Sequence, residues 1–226
     1  ENETLKINPL PSKTWYWLHL NDTTVKWNGN VQPCMVTTEE PEQVSEAGLN
    51  IKEMTTGAGA EADTLFSDEN LPVLQLTAKA EDGERIIRLD ISGEDKENAA
   101  GTVYIATEEN AHVTVIEKFI SGKKAQSDLA FRTKLYAKKN STIRLIQINM
   151  LDEGQRLLNA VGSVCDETAK LDVLQMFIGR GDVYNGIQTE LEGDQSELHT
   201  EIGYIGQKQQ SLDMNLVVNH WGKQTN

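Results

Sequence analysis

Cysteine is scarce: Cys34 and Cys165 are the only two in 226 residues, and they lie far apart in sequence. A small secreted domain held by disulfides would carry more, so a reducing, cytoplasmic setting is expected. Basic residues are also in deficit. Lys and Arg number 21 against 35 Asp and Glu, which leaves a formal charge of −14. That balance argues against a nucleic-acid surface, which needs a net basic footprint, and against docking on anionic membrane. No apolar run approaches the length of a membrane span. No signal peptide is visible, although the chain starts at Glu1 rather than Met and processing or truncation would remove one. Standard catalytic signatures are missing as well. There is no Gly-x-x-x-x-Gly-Lys-Ser/Thr, no Cys-x-x-Cys and no His-Glu-x-x-His, so ATP hydrolysis, thiol redox and zinc-peptidase chemistry have no sequence support. Gly179-Arg-Gly181 does not extend to a dinucleotide fingerprint, and Arg180-Gly181-Asp182 reads as a turn between strands.

What the chain does have is a repeat. Blocks open at Ala111, Ser141, Ala169 and Ser196, at spacings of 30, 28 and 27 residues. Each opens on a small residue. Two places on comes Val113, Ile143, Leu171 or Leu198, and two further Val115, Leu145, Val173 or Thr200. Each block has a second alternating half: Leu129–Tyr136, Leu158–Val164, Tyr184–Leu191 and Leu212–Val218. Polar breaks such as Lys138-Lys139-Asn140 and Asp166-Glu167-Thr168 follow them. An earlier block begins at Glu84, 27 residues before Ala111, so about five units are expected. A fixed period of this length marks a stacked architecture. Period-2 alternation makes the stacked unit strand rather than helix. The expected fold is mainly β, a parallel β-helix in which like residues lie above one another at roughly 4.8 Å. One coil cannot bury its inner face, so only the stack is stable.

The expected organisation is an N-terminal region over 1–72 and a β-helix core over 73–226. Trp15, Trp17 and Trp27 lie in the first region and are expected to cap the open first coil; a partner-binding aromatic patch is the alternative. Residues 34–70 read as short helices and loop. Ser45–Met54 and Ala60–Phe66 are the helical pieces, with Thr56-Gly-Ala-Gly-Ala a linker between them. The strand pattern runs to Asn226 with no capping helix after it. An apolar stack end is therefore expected there, covered by further chain or by another subunit.

Candidate site residues are few. Glu117, Gln147 and Gln175 share one block position and are expected to form a polar column that fixes register. Cys165, at a strand end, reads as a small buried residue, or alternatively as a soft ligand for iron or sulfur; Cys34 is similar. His220 closes the last strand and is a structural hydrogen-bonding residue or a group at an interface or metal site. Asn21-Asp-Thr and Asn140-Ser-Thr fit the glycosylation pattern, which matters only in a secreted protein.

The ordered set Gly179, Tyr184, Leu191-Glu-Gly193, Leu212-Asp213-Met214, His220 and Thr225 resembles the SufB/SufD family of iron–sulfur cluster assembly proteins. So does Ala111-His-Val-Thr-Val-Ile-Glu117 with the Ser-Gly turn after it, and Trp15-Tyr16-Trp17-Leu18 resembles the opening of shorter SufD-like members. The resemblance covers about 84–226, and 1–40 loosely. It implies a right-handed parallel β-helix. It also implies a cytoplasmic complex with a SufC-like ATPase and a SufB-like or SufD-like paralogue, or a second copy, joined through the β-helix. The family's C-terminal helical region and the cysteine, histidine and glutamate implicated in cluster formation lie beyond the matching stretch, so no cluster ligand carries over; Asp213 and His220 match other positions. The expectation is a non-enzymatic scaffold or adaptor with no tightly bound cofactor, a cluster arising only in the full complex. Two alternatives stand beside it: a polysaccharide-active β-solenoid, for which no column of paired acids is present, and a purely structural dimerisation module.

Overall fold

A computed structural model describes residues 2–10, 23–28, 30–38, 54–67, 71 and 73–226. After β1 (Asn2–Ile7), β2 (Thr23–Asn28), β3 (Gln32–Pro33) and β4 (Met35–Thr38) comes one short helix, α1 (Ala60–Asp63), continued by a 3₁₀ turn over Thr64–Phe66. β5 (Val73–Ala78) precedes ten long strands: β6 (Glu84–Ser92), β7 (Asn98–Thr107), β8 (His112–Ile120), β9 (Ser127–Ala137), β10 (Thr142–Met150), β11 (Gln155–Cys165), β12 (Lys170–Phe177), β13 (Asp182–Leu191), β14 (Glu197–Tyr204) and β15 (Leu212–His220).

These ten strands make five coils. β6, β8, β10, β12 and β14 form one parallel sheet, and β7, β9, β11, β13 and β15 the other. The expected β-solenoid is therefore what the sequence builds. Val113 lies under Ile143, Ile143 under Leu171 and Leu171 under Leu198. The alternating residues of both sheets point into one narrow core, where Val115, Leu145, Leu157 and Ile187 are fully buried. Burying each such side chain contributes about 1.5–3 kcal/mol.

One corner explains the small residue that opens each block. Asn110, Asn140, Thr168, Gln195 and Gln224 all adopt left-handed φ of 57–63°, which reverses the chain in a tight turn and which asparagine tolerates best among non-glycine residues. The next residue folds inward, and Ala111, Ser141, Ala169 and Ser196 are completely buried there. The corners also bond to each other: Asn140 Nδ2 donates to Asn110 Oδ1 at 3.1 Å, and Thr168 Oγ1 donates to Asn140 Oδ1 at 2.8 Å.

The first coil is flanked by chain N-terminal to residue 73 as well as by β5. β4 runs antiparallel to β6, and β3 and β5 both lie parallel to β7. Trp27 is not over that end. It is buried on the outer flank of the β7–β15 sheet, with the Arg156 guanidinium 5.2 Å from its ring. The first coil is met by strands instead, because backbone pairing satisfies the edge amides that a ring cannot. Trp15, Trp17 and most of the Ser45–Met54 helix expectation fall outside the described residues; the Ala60–Phe66 piece is helical as expected. Residues 56–60 differ from the expected linker. They form a strap seated on the same flank: Gly57 N–H donates to the Val161 carbonyl at 3.2 Å, and the Gly57 carbonyl accepts from Asn215 Nδ2 at 3.0 Å. The approach is so close that a Cβ on Gly186 would sit 2.2 Å from the Ala58 nitrogen. Small residues lay the seat, and a glycine strap fits it.

Candidate functional site

The residues singled out in the sequence end up in different environments. Cys165 lies in β11 between Ala137 and Leu191 of the neighbouring strands and is fully buried in the main core. Burial pushes its thiol up to about 12, helped by the neighbouring Asp166 carboxylate. Cys34 is likewise in the core, its thiol also raised to about 12 by burial. A thiol held so far above neutrality has almost no thiolate, the form that attacks or ligates. His220 is exposed, and its Nδ1 lies 2.7 Å from Thr225 Oγ1. It shares a column with Cys165, but Leu191 separates them, so they are two strand spacings apart, about 10 Å. Among the described residues no group of three or more His, Cys, Asp or Glu is placed to hold a metal ion.

The polar column is real and larger than its sequence pattern. Glu117, Gln147 and Gln175 stack in register across β8, β10 and β12, all completely buried. Three residues from the opposite sheet complete it. Glu117 accepts from Thr133 Oγ1 at 3.0 Å and from Gln147 Nε2 at 2.6 Å. Gln147 and Asn159 exchange amide hydrogen bonds at 2.7 and 3.2 Å. Gln175 and Asn185 repeat this one coil later at 2.8 and 3.1 Å. Gln175 Nε2 reaches Gln147 Oε1 at 2.6 Å, and Asn159 Nδ2 reaches Asn185 Oδ1 at 2.8 Å. Each amide thus bonds both across the core and along the stack. Burial raises the Glu117 carboxyl to about 7, and the bonds from Gln147 and Thr133 restrain the rise. Asn159 and Asn185 occur 26 residues apart at matching positions, a signal that was available in the sequence and not read.

A polar groove of about 850 Å³ runs along one side of the stack. Its charges are mutually engaged: Arg156 with Asp128, Arg180 with Asp152 at 2.6 Å, and Lys208 with Glu153 at 2.6 Å. With its cations already paired and Glu97 and Asp182 adding acid to the lining, it offers no free cation to hold an anionic ligand.

Among the described residues the coil of β14 and β15 is the least covered. β14 and β15 are the outer strands of their sheets, so each presents a row of backbone groups without a neighbouring strand. Large side chains are exposed on this coil at separate positions. Tyr204 is 63% exposed, Trp221 70%, and Leu216 is exposed as well. Trp221 is oriented rather than loose: its Nε1 donates to Glu190 Oε2 at 2.7 Å. Burial works to raise the Glu190 carboxyl, but bonds from Trp221, Gln188 and Asn219 outweigh it and hold the group below the usual carboxylate range. His199 and Glu201 face each other at 3.0 Å on the same edge. Open backbone and exposed aromatics make an edge that a further strand can extend.

Neither the curated proteins nor the solved structures that were searched contain a match to this chain. A family model does match, the SufBD core domain of SUF system FeS cluster assembly, over residues 90–226. That stretch is more than half of the chain and spans β6 from Asp90, all later coils, the buried polar column and the terminal edge. The chain belongs to the SufBD family of SUF-system iron–sulfur cluster assembly proteins.

Proposed function

We propose that this chain is a scaffold subunit of a SUF-type iron–sulfur assembly complex, working beside a SufC-like ATPase and joined to a SufB-like or SufD-like paralogue, or to a second copy, through its terminal coil. Family membership supports the process. The observation that supports the scaffold reading is the regular two-sheet stack, whose coils carry backbone edges, with the oriented Trp221 at a corner of the last described coil. A strand from a partner would extend both the hydrogen-bond ladder and the core. On this reading the chain catalyses no reaction itself, and the cluster is cargo of the whole assembly. A cytoplasmic setting fits the two free cysteines. No helix among the described residues is long and apolar enough to cross a membrane.

The test is co-purification. Tagged full chain co-expressed with a SufC-like ATPase and a SufB-like paralogue should recover both, and Leu216→Asp with Trp221→Asp should lose the paralogue. Retention of the paralogue by that double variant sinks the edge assignment, and failure to recover either protein sinks the scaffold reading.

A further inference from the structure

Beside the strap, a cavity of about 390 Å³ opens between residues 55–63 and the outer faces of β13 and β15. That volume lies within the range of small-molecule sites, roughly 300–1,000 Å³. Gln188, Asn215 and Asn219 line it from the sheet, and Asp63 from α1. The amide nitrogens of these three residues are taken up elsewhere. Gln188 Nε2 and Asn219 Nδ2 both donate to Glu190 Oε1, at 2.7 and 2.9 Å. Asn215 Nδ2 donates to the Gly57 carbonyl at 3.0 Å. The Gly57 and Gly59 N–H groups go to the Val161 and Thr56 carbonyls. An amide that gives its nitrogen to one neighbour keeps its oxygen for another. The side-chain oxygens of Gln188, Asn215 and Asn219 accept from no donor among the described residues.

Charge points the same way. The described lining holds Asp63 and no Lys, Arg or His. Arg132 Nη1 stands 3.9 Å from Asp63 Oδ1, outside hydrogen-bond reach. Burial raises the Asp63 carboxyl above its ordinary value, and Arg132, Lys134 and the bond from Thr56 only partly offset that rise. A second carboxylate, Glu190, stands behind the two amides that donate to it. We infer that this cavity binds an organic ammonium, its N–H groups directed at Asp63 and the amide oxygens, its alkyl stem lying on Pro9, Leu10 and Val217. An ammonium carries three donors and no acceptor, which matches acceptors drawn from separate strands. A bare metal ion is served less well by a single carboxylate. A lysine side chain and a free polyamine present the same group. The inference uses neither Leu216 nor Trp221 and does not depend on the scaffold reading.

Titration of the isotope-labelled full chain with pentylamine, followed by NMR, tests it. Shifts should concentrate in the Gly57 and Gly59 amides and the Asn215 and Asn219 side chains, with half-saturation at about 1 mM. Pentan-1-ol, which has the same stem without the charge, should bind about tenfold more weakly. Asp63→Asn should weaken pentylamine about tenfold, and Asn219→Leu, which leaves the strap untouched, about fivefold. Glu84→Gln, an exposed acid on the other sheet, should change nothing. Shifts spread over the acidic surface overturn the inference, as does equal binding of the alcohol. So does unchanged affinity in either pocket variant. If Asp63→Asn also loosens the strap, Asn219→Leu decides alone. A lysine peptide with blocked termini and spermidine form the second arm. Displacement of pentylamine by the peptide assigns a protein lysine, displacement by spermidine alone assigns a free polyamine, and displacement by neither counts against the site.

Discussion

Glu117 is the residue whose chemistry is most altered by the fold. Its carboxyl titrates near 7 when folded and near 4.3 in an unfolded chain. The folded state therefore holds the proton more tightly. The stability this contributes is complete below about pH 4, is lost as pH rises to about 7, and is absent above. The shift corresponds to about 4 kcal/mol. Glu117→Gln keeps an acceptor for Thr133 and Gln147 and cannot ionise. Its denaturant midpoint should therefore be flat between pH 5 and pH 8, where wild type falls by a few kcal/mol; equal slopes for both proteins refute this. At this scale the sequence was half legible. Like residues at equal spacing disclosed Glu117, Gln147 and Gln175, because stacking within a column is what a repeat encodes. Asn159 and Asn185 repeat at equal spacing in the other half of each coil, but no periodicity says which column of that half faces Glu117, and Thr133 lies outside theirs. Burial of Cys165 was readable from its strand-end position.

Among the elements, the ten long strands were visible in alternation alone, since each half-block turns one side to the core and one to water. The strap over residues 56–60 was not. Glycine and alanine read equally well as a free connection and as a chain pressed flat on another backbone. What decides between them is the far surface, where Ala160, Gly162 and Gly186 clear a path. Gly186→Ala would place a methyl group within van der Waals radii of Ala58. It should destabilise by about 1–3 kcal/mol and open the 54–60 backbone to protease, with the later coils still protected. Unchanged cleavage and stability would show the strap is not seated there. The edge pairing of β3 and β4 was equally hidden, because four residues or fewer carry no period.

For the molecule as a whole, a stack of interchangeable coils behaves as a sum of nearest-neighbour terms. Removing Ser141–Thr168 deletes one complete coil, from one buried corner residue to the next left-handed one. It brings β8 against β12 with Glu117 beside Gln175, as Gln147 was before. The shortened chain should keep its β-type circular dichroism and melt cooperatively at a lower temperature. A deletion of half that length, which exchanges the two sheets, should not fold. Equivalent behaviour of the two deletions would contradict the vertical register. Overall architecture was the most legible level in the sequence, since it needs only the period and the alternation.

The strap has one more consequence, which concerns time. Asn8 is held by Asp213, and Gly57 by Asn215. On a ribosome this segment emerges well before its seat, which is completed only when residue 215 has left the exit tunnel. The strap therefore settles after the coils it lies on, and until then the β7–β15 flank it covers is bare to whatever chaperone is near.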